Sequence, residues 1–222
     1  MKYHANQLYH IFNQGNNKEP IFFNNGNYYF FLEKMKRHLL PYVDVVSYCL
    51  MPNHFHWLVI TKPEACVLCE TIKPQPPHNN MDSNYQQVLS KQIGILLRSY
   101  TRSINVQEER SGSLFRKRTK VKDGWNGKSL TANSYSHDYI PGAFNLYYAR
   151  ICFRYIHANP VKAGLVKEEI DWTFSSAREY NGLNENGICN KGKANQIFNL
   201  EILEWTDHLT WCGDQSTLKL FQ

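Results

Sequence analysis

Two histidines one residue apart, and a tyrosine followed four residues later by an asparagine, are the side chains whose types and spacing could do chemistry together. The histidines lie in Leu50-Met51-Pro52-Asn53-His54-Phe55-His56-Trp57-Leu58-Val59-Ile60. Pro52-Asn53 interrupts the run before them and the run after is apolar and aromatic, which predicts a turn feeding a buried strand. On a strand, side chains at i and i+2 share a face, so His54 and His56 project together while Phe55 and Trp57 project oppositely. Two residue rises separate the imidazoles by about 6.6 Å, close enough to converge on one metal ion. A bare His-x-His is more often an ordinary half-buried pair beside a core. Tyr155 and Asn159, spaced i and i+4, share one face near the end of a predicted helix. A tyrosine in such a place is usually core, so position matters more than type. A divalent ion held by His54 and His56 could polarise a phosphodiester. A tyrosine hydroxyl, with a reference pKa of about 10, attacks only when a metal or base helps to ionise it.

The elements that must position these groups can be read in order. Leu8-Tyr9-His10-Ile11-Phe12-Asn13 predicts a first strand, closed by Gly15-Asn16-Asn17. Asn24-Asn25-Gly26-Asn27 offers caps for a helix over about 27–40, with Phe30, Phe31, Met35 and Leu39 at helical spacing and Pro41 ending it. Residues 42–50 alternate loosely and predict the strand that pairs with the histidine strand. Strand, helix and hairpin make the first half of a ferredoxin-like α+β unit. Residues 61–83, rich in proline, asparagine and serine, read as a linker or loop. A second helix is expected from Asn84 to about 105, burying Val88, Ile93, Leu96 or Leu97, Tyr100 and Ile104. Residues 123–142 read as an insertion or mobile loop. A third helix follows from Ala143 to about Ala158. Asn159-Pro160 is expected to stop it, and Ala163-Gly164-Leu165-Val166 reads as a helix stop and extended exit. Residues 1–180 form the expected domain, and 181–222 an extension of no assigned role.

The chain has 222 residues, 25 Lys+Arg against 19 Asp+Glu, and a formal net charge of +6, which mildly favours a polyanionic partner. Lys91, Arg98 and Arg102 recur on one stripe of the second helix: a solvated face on the bland view, a row of phosphate contacts on the other. Arg116, Lys117, Arg118, Lys120 and Lys122 form the densest basic segment. Leu114, Phe115 and Val121 around it suggest a strand or strand edge that could coat a nucleic-acid backbone. Lysines that blunt a sheet edge would look the same. The six cysteines are scattered, and Cys66-Val67-Leu68-Cys69 has no matching second pair, so a zinc site is not expected. No leader pattern and no run of membrane-spanning length is found. A reduced, cytoplasmic location with no membrane partner is the expectation.

Four stretches together carry a resemblance. They are Tyr9-His10; Tyr48-Cys49-Leu50-Met51-Pro52-Asn53-His54-Phe55-His56-Trp57-Leu58-Val59; Gly112-Ser113-Leu114-Phe115; and Tyr155-Ile156-His157-Ala158-Asn159-Pro160-Val161-Lys162-Ala163-Gly164-Leu165-Val166. They resemble the HUH single-strand DNA transposases, specifically the REP-associated tyrosine transposases and their relatives in small insertion sequences, over about residues 8–176. The resemblance implies a ferredoxin-like (RRM-like) antiparallel sheet with helices packed on it. It also implies cleavage and rejoining of single-stranded DNA near hairpins through a 5′-phosphotyrosine, with Mg²⁺ or Mn²⁺. By matching position, His54 and His56 are the metal pair, Tyr155 the nucleophile, and Asn159 the polar residue completing the metal site. Loops 61–83 and 123–142 are longer than the family pattern, and the tail after about 180 resembles nothing in it.

Two rivals stand beside an active enzyme. One is a domesticated DNA-hairpin binding protein, for which the basic stripe and the 116–122 segment suffice. The other is a metal enzyme for a small substrate, which leaves those basic segments unexplained. The sequence leaves open a monomer or a homodimer whose Tyr155 serves the partner's site.

Overall fold

In the computed structural model the described residues are 2–70, 85–125, 146–183 and 187–200. Four strands form the central sheet: β1 (Leu8–Gln14), β2 (Val43–Met51), β3 (His54–Thr61) and β6 (Lys120–Asp123), in spatial order β2-β3-β1-β6 with every neighbouring pair antiparallel. With α1 (Asn25–His38) between β1 and β2, and α2 (Val88–Gln107) between β3 and β6, this is the βαββαβ arrangement of a ferredoxin-like α+β fold.

The two faces of the sheet are set by strand alternation. Tyr9, Ile11, Phe55, Trp57 and Val59 turn to α1 and α2 and belong to the larger core, with Phe31, Leu96 and Tyr100. Leu8 and Leu58 turn the other way, to α3 (Leu146–Lys162) and, beyond the one-turn α4 (Ala177–Tyr180), to α5 (Lys191–Phe198), and form a second core with Cys152, Phe153, Ile156 and Phe198. A bulge between Val45 and Ser47 shifts the register of β2. It lets Val45, Tyr48 and Leu50 pack in the first core while Val46, Cys49 and Met51 pack in the second. That shift is why the segment reads as only loosely alternating.

Several expectations are corrected. Phe30 on α1 is 39% exposed and lies outside the core, whereas Phe31, Met35 and Leu39 are buried. The second helix begins at Val88 rather than Asn84, because Tyr85–Gln87 is a strand, β5, paired with β4 (Leu68–Glu70). Part of the expected 61–83 loop is therefore structured: a 3-10 turn over Pro63–Cys66 leads into β4. On α2 the buried residue at the start is Leu89, and Leu96 rather than Leu97 faces inward. The remainder of that loop, and all but the start of 123–142, lie outside the described residues.

The third helix does not stop at Asn159-Pro160 but runs through Pro160 to Lys162. A proline that near the C-terminus removes one backbone donor, and burial of Ile156, His157, Asn159 and Pro160 on the sheet outweighs that loss. The stop comes at Gly164, whose φ of 68° is the left-handed conformation of a helix C-cap. Gly164 N–H donates to Val161 O at 2.9 Å and Leu165 N–H to Pro160 O at 2.9 Å, closing the last turn.

Beyond residue 170 the chain covers the outer edge of β2. Leu50 N–H donates to Phe174 O and Ser176 N–H to Tyr48 O, while Asn190 N–H donates to Val45 O. Phe198 of α5, fully buried, lies 4.9 Å from the Phe153 ring. Among the described residues no helix is long and apolar enough to cross a membrane.

Candidate active site

β3 and α3 meet on the second face of the sheet, and there His54, His56 and Tyr155 come together. The His54 and His56 rings are 5.0 Å apart and nearly perpendicular. The Tyr155 ring stands edge-on to His56 at 5.6 Å, within the same chain. Sequence separation hides this meeting, because α3 is laid across β2 and β3 only by tertiary packing.

Each imidazole is held through one ring nitrogen. His54 Nδ1 is 2.6 Å from Asn53 Oδ1, an acceptor, so Nδ1 carries the proton and Nε2 keeps its lone pair. His56 Nδ1 is 2.9 Å from Nε2 of His10, a fully buried residue of β1. With His56 Nδ1–H donating to His10, the His56 Nε2 lone pair is left; that atom is buried and has no hydrogen-bond partner among the described residues. Burial lowers the pKa of all three: His54 to about 4, His10 to about 3, and His56 well below its ordinary value. Neighbouring Lys122 adds to the depression of His10, and His10, His54 and Lys122 to that of His56. Neutral imidazoles with an available lone pair are what a divalent ion requires.

Asn159 lies one turn beyond Tyr155, is 7% exposed, and its Nδ2 has no hydrogen-bond partner among the described residues. A buried orphaned amide is costly unless something else satisfies it. The orphaned Nδ2 is a donor, which a phosphate oxygen or water would satisfy and a cation would not, so Asn159 could ligate only through Oδ1; the two neutral imidazoles by themselves fit an open site that keeps positions for phosphate and water. Among the described residues no group of three or more His, Cys, Asp and Glu side chains could form a closed cage.

Burial pushes the Tyr155 hydroxyl up to about 12, with Cys152 and Cys49 adding to the shift. The hydroxyl therefore stays protonated at neutral pH until positive charge arrives beside it. Lys162 Nζ already lies 5.2 Å from the Tyr155 ring centre.

The eight basic residues divide between the faces. Lys120 and Lys122 pair with Phe12 and His10 across β6 and β1, so they lie on the histidine face, each Nζ 5.6 Å from the Phe12 ring. Arg98, Arg116 and Lys117 line a cleft beside α2 on the other face. Arg118 is exposed, Arg102 is exposed on α2, and Lys91 is half-buried there; none of these three lines the cleft.

Sequence reasoning assigned no role to His10 or Lys162. Strand alternation puts His10 and Phe12 on one face of a buried strand, a faint signal, but the antiparallel register opposing His56 to Phe12 is tertiary information.

No protein-family model matches the chain, and no characterised protein sequence matches it. A solved structure described as a REP-associated tyrosine transposase bound to a REP hairpin is similar over 84% of this chain and 87% of that one. The two are 17% identical, with a TM-score of 0.48. The chemistry of the site rests on this chain's own residues.

Proposed function

We propose that this chain is a metal-assisted endonuclease and strand transferase acting on single-stranded DNA beside hairpins, with Tyr155 as nucleophile. The observation that carries the reading is the Tyr155 ring set against His56, whose Nε2 is buried without a partner among the described residues. His54, His56 and Asn159 would hold Mg²⁺ or Mn²⁺. Bound there, such an ion supplies charge that polarises the phosphodiester and offsets its non-bridging oxygens.

The protein's part is to hold the phenol and present the phosphate. Tyr155 Oη attacks phosphorus and loses its proton to solvent. The P–O3′ bond breaks, leaving a 5′-phosphotyrosine and a 3′-hydroxyl that takes up a proton. Because the phosphodiester energy is kept in the phosphotyrosine, a 3′-hydroxyl can attack it in reverse and rejoin strands without a nucleotide cofactor. Lys120 and Lys122 on the same sheet face, and Lys162 over the tyrosine ring, supply positive charge for the incoming backbone.

A second reading, hairpin binding without cleavage, is favoured by one observation: burial raises the Tyr155 hydroxyl rather than lowering it. One assay separates the readings. The full chain, incubated with single-stranded hairpin DNA and Mn²⁺, is expected to give a denaturant-resistant protein–DNA adduct that Tyr155→Phe does not give. Salt-sensitive binding with no adduct under any divalent metal supports the second reading. Equal cleavage by Tyr155→Phe refutes the nucleophile assignment.

A further inference from the structure

The cations beside α2 face away from Tyr155. They line an open cleft of about 480 Å³ between α2 and the segment from Ser113 to Thr119. Ile93, Leu97, Phe115 and Tyr3 give it an apolar and aromatic surface, and Arg98, Arg116 and Lys117 its charge. Among the described residues no acidic side chain lines it. The ion pairs among the described residues, Lys36–Glu33, Lys62–Asp44 and Arg110–Glu19, involve none of the three cations. Like charges gathered in one concavity without a counter-ion repel one another, and an anion relieves that repulsion.

Two details show that the cleft is held in shape. Asn13 Nδ2 donates to Arg116 O at 3.2 Å and to Thr119 Oγ1 at 3.1 Å, tying the cationic wall to β1. Gly94 sits inside α2, where glycine costs about 1 kcal/mol relative to alanine. A Cβ there would come within 2.9 Å of Arg98 Nη1, so the absence of a side chain is what lets the guanidinium lie back over the helix.

We infer that this cleft seats one nucleotide of a single strand, its base on the apolar surface and its flanking phosphates against Arg98, Arg116 and Lys117. The inference rests on the reading that nucleic acid is the substrate, and adds a second contact on the opposite sheet face from Tyr155. The volume falls within the roughly 300–1,000 Å³ of small-ligand sites. Bare phosphate would leave the apolar surface uncovered, and a duplex keeps its bases stacked, whereas an unpaired base presents both a π-face and a charge. The route onward is marked by the chain itself. Arg116 and Lys117 lead into β6, the edge strand, and Lys120 and Lys122 on it face the histidines. A strand seated in the cleft can pass round that edge to the Tyr155 face.

The test is fluorescence anisotropy of the full chain with a 5′-fluorescein-labelled dT12 oligonucleotide across a salt series. Arg98→Ala/Arg116→Ala is expected to weaken binding at least tenfold and to reduce the slope of log affinity against log salt by about 1.4, at roughly 0.7 per phosphate of a single strand. Gly94→Leu is expected to fill the cleft and displace the Arg98 guanidinium, weakening binding and reducing the slope by about 0.7, one phosphate contact, while thermal stability is kept by its better helix propensity. If wild type binds dT12 and forms the adduct but both variants bind dT12 as wild type does, the cleft assignment alone falls. Wild type binding neither dT12 nor hairpin DNA sinks the nucleic-acid reading itself. Competition by dTMP or inorganic phosphate as effective per nucleotide as dT12 overturns the assignment to a strand.

Discussion

Replacing His10 by phenylalanine isolates what the His10–His56 contact does. His10 is fully buried, its ring 4.7 Å from Phe12 and 5.0 Å from His56, stacked on both. Phenylalanine keeps that aromatic packing and removes the 2.9 Å hydrogen bond to His56 Nδ1. A buried donor left without a partner costs about 1–3 kcal/mol. At about 2–4 °C per kcal/mol for a chain of this length, Tm falls by several degrees. The larger effect is on His56 itself. Freed of His10, its imidazole is no longer held with the proton on Nδ1, and the tautomer protonated on Nε2 cannot ligate through that atom. Loss of such an outer partner weakens metal affinity about 10–100-fold. Mn²⁺ titration by calorimetry is expected to show that loss for His10→Phe. His10→Gln, whose side-chain carbonyl can accept from Nδ1–H, should recover most of it. A purely structural role would lower Tm in both variants without separating their affinities. Wild-type Mn²⁺ affinity in His10→Phe would refute the reasoning.

Two further expectations concern stability. Phe198→Ala should cost about 3–5 kcal/mol, the usual range for a buried phenylalanine, because α5 packs Phe198 on Phe153; denaturant unfolding showing less than about 1 kcal/mol would mean that 187–200 is no part of the core. Burial pushes the Glu169 carboxyl up from its ordinary 4.5 to about 7, against the pull of Arg154 and Lys162. Between those values the folded chain retains a proton that the unfolded chain has lost, so this contribution is intact below about 4.5 and is lost as pH rises through about 7. Glu169→Gln should therefore raise Tm more at pH 8 than at pH 4, and an equal change at both would contradict the shift.

The strand carrying His54 and His56 is legible because its signals are local: a Pro-Asn break, an aromatic run and a period of two. The ends of α1 are likewise local, and Asn24 and Asn27 form the reciprocal cap that the Asn-rich stretch announces. Local signals fail where tertiary contacts decide. Pro160 reads as a stop, yet the helix continues because its last turn is buried on the sheet and closed at Gly164. β4 and β5 are three residues each, too short for periodicity to register, and exist through pairing across the intervening residues. The bulge at Val45–Ser47 erases the alternation that would have marked β2 as two-faced.

The basic segment marks the sharpest limit. In sequence, Arg116 to Lys122 is one run of charge, and nothing in its composition divides it. In the fold, β6 begins only at Lys120, and there the register with β1 sends Lys120 and Lys122 to the histidine face. Arg116 and Lys117, just before the strand, remain beside α2 with Arg98, a residue eighteen positions earlier that no spacing rule would pair with them. Charge density in a sequence reports how strongly a polyanion is attracted. Which charges act together is decided by where the strand starts, and a shift of one residue would turn Lys120 and Lys122 away from the histidine face.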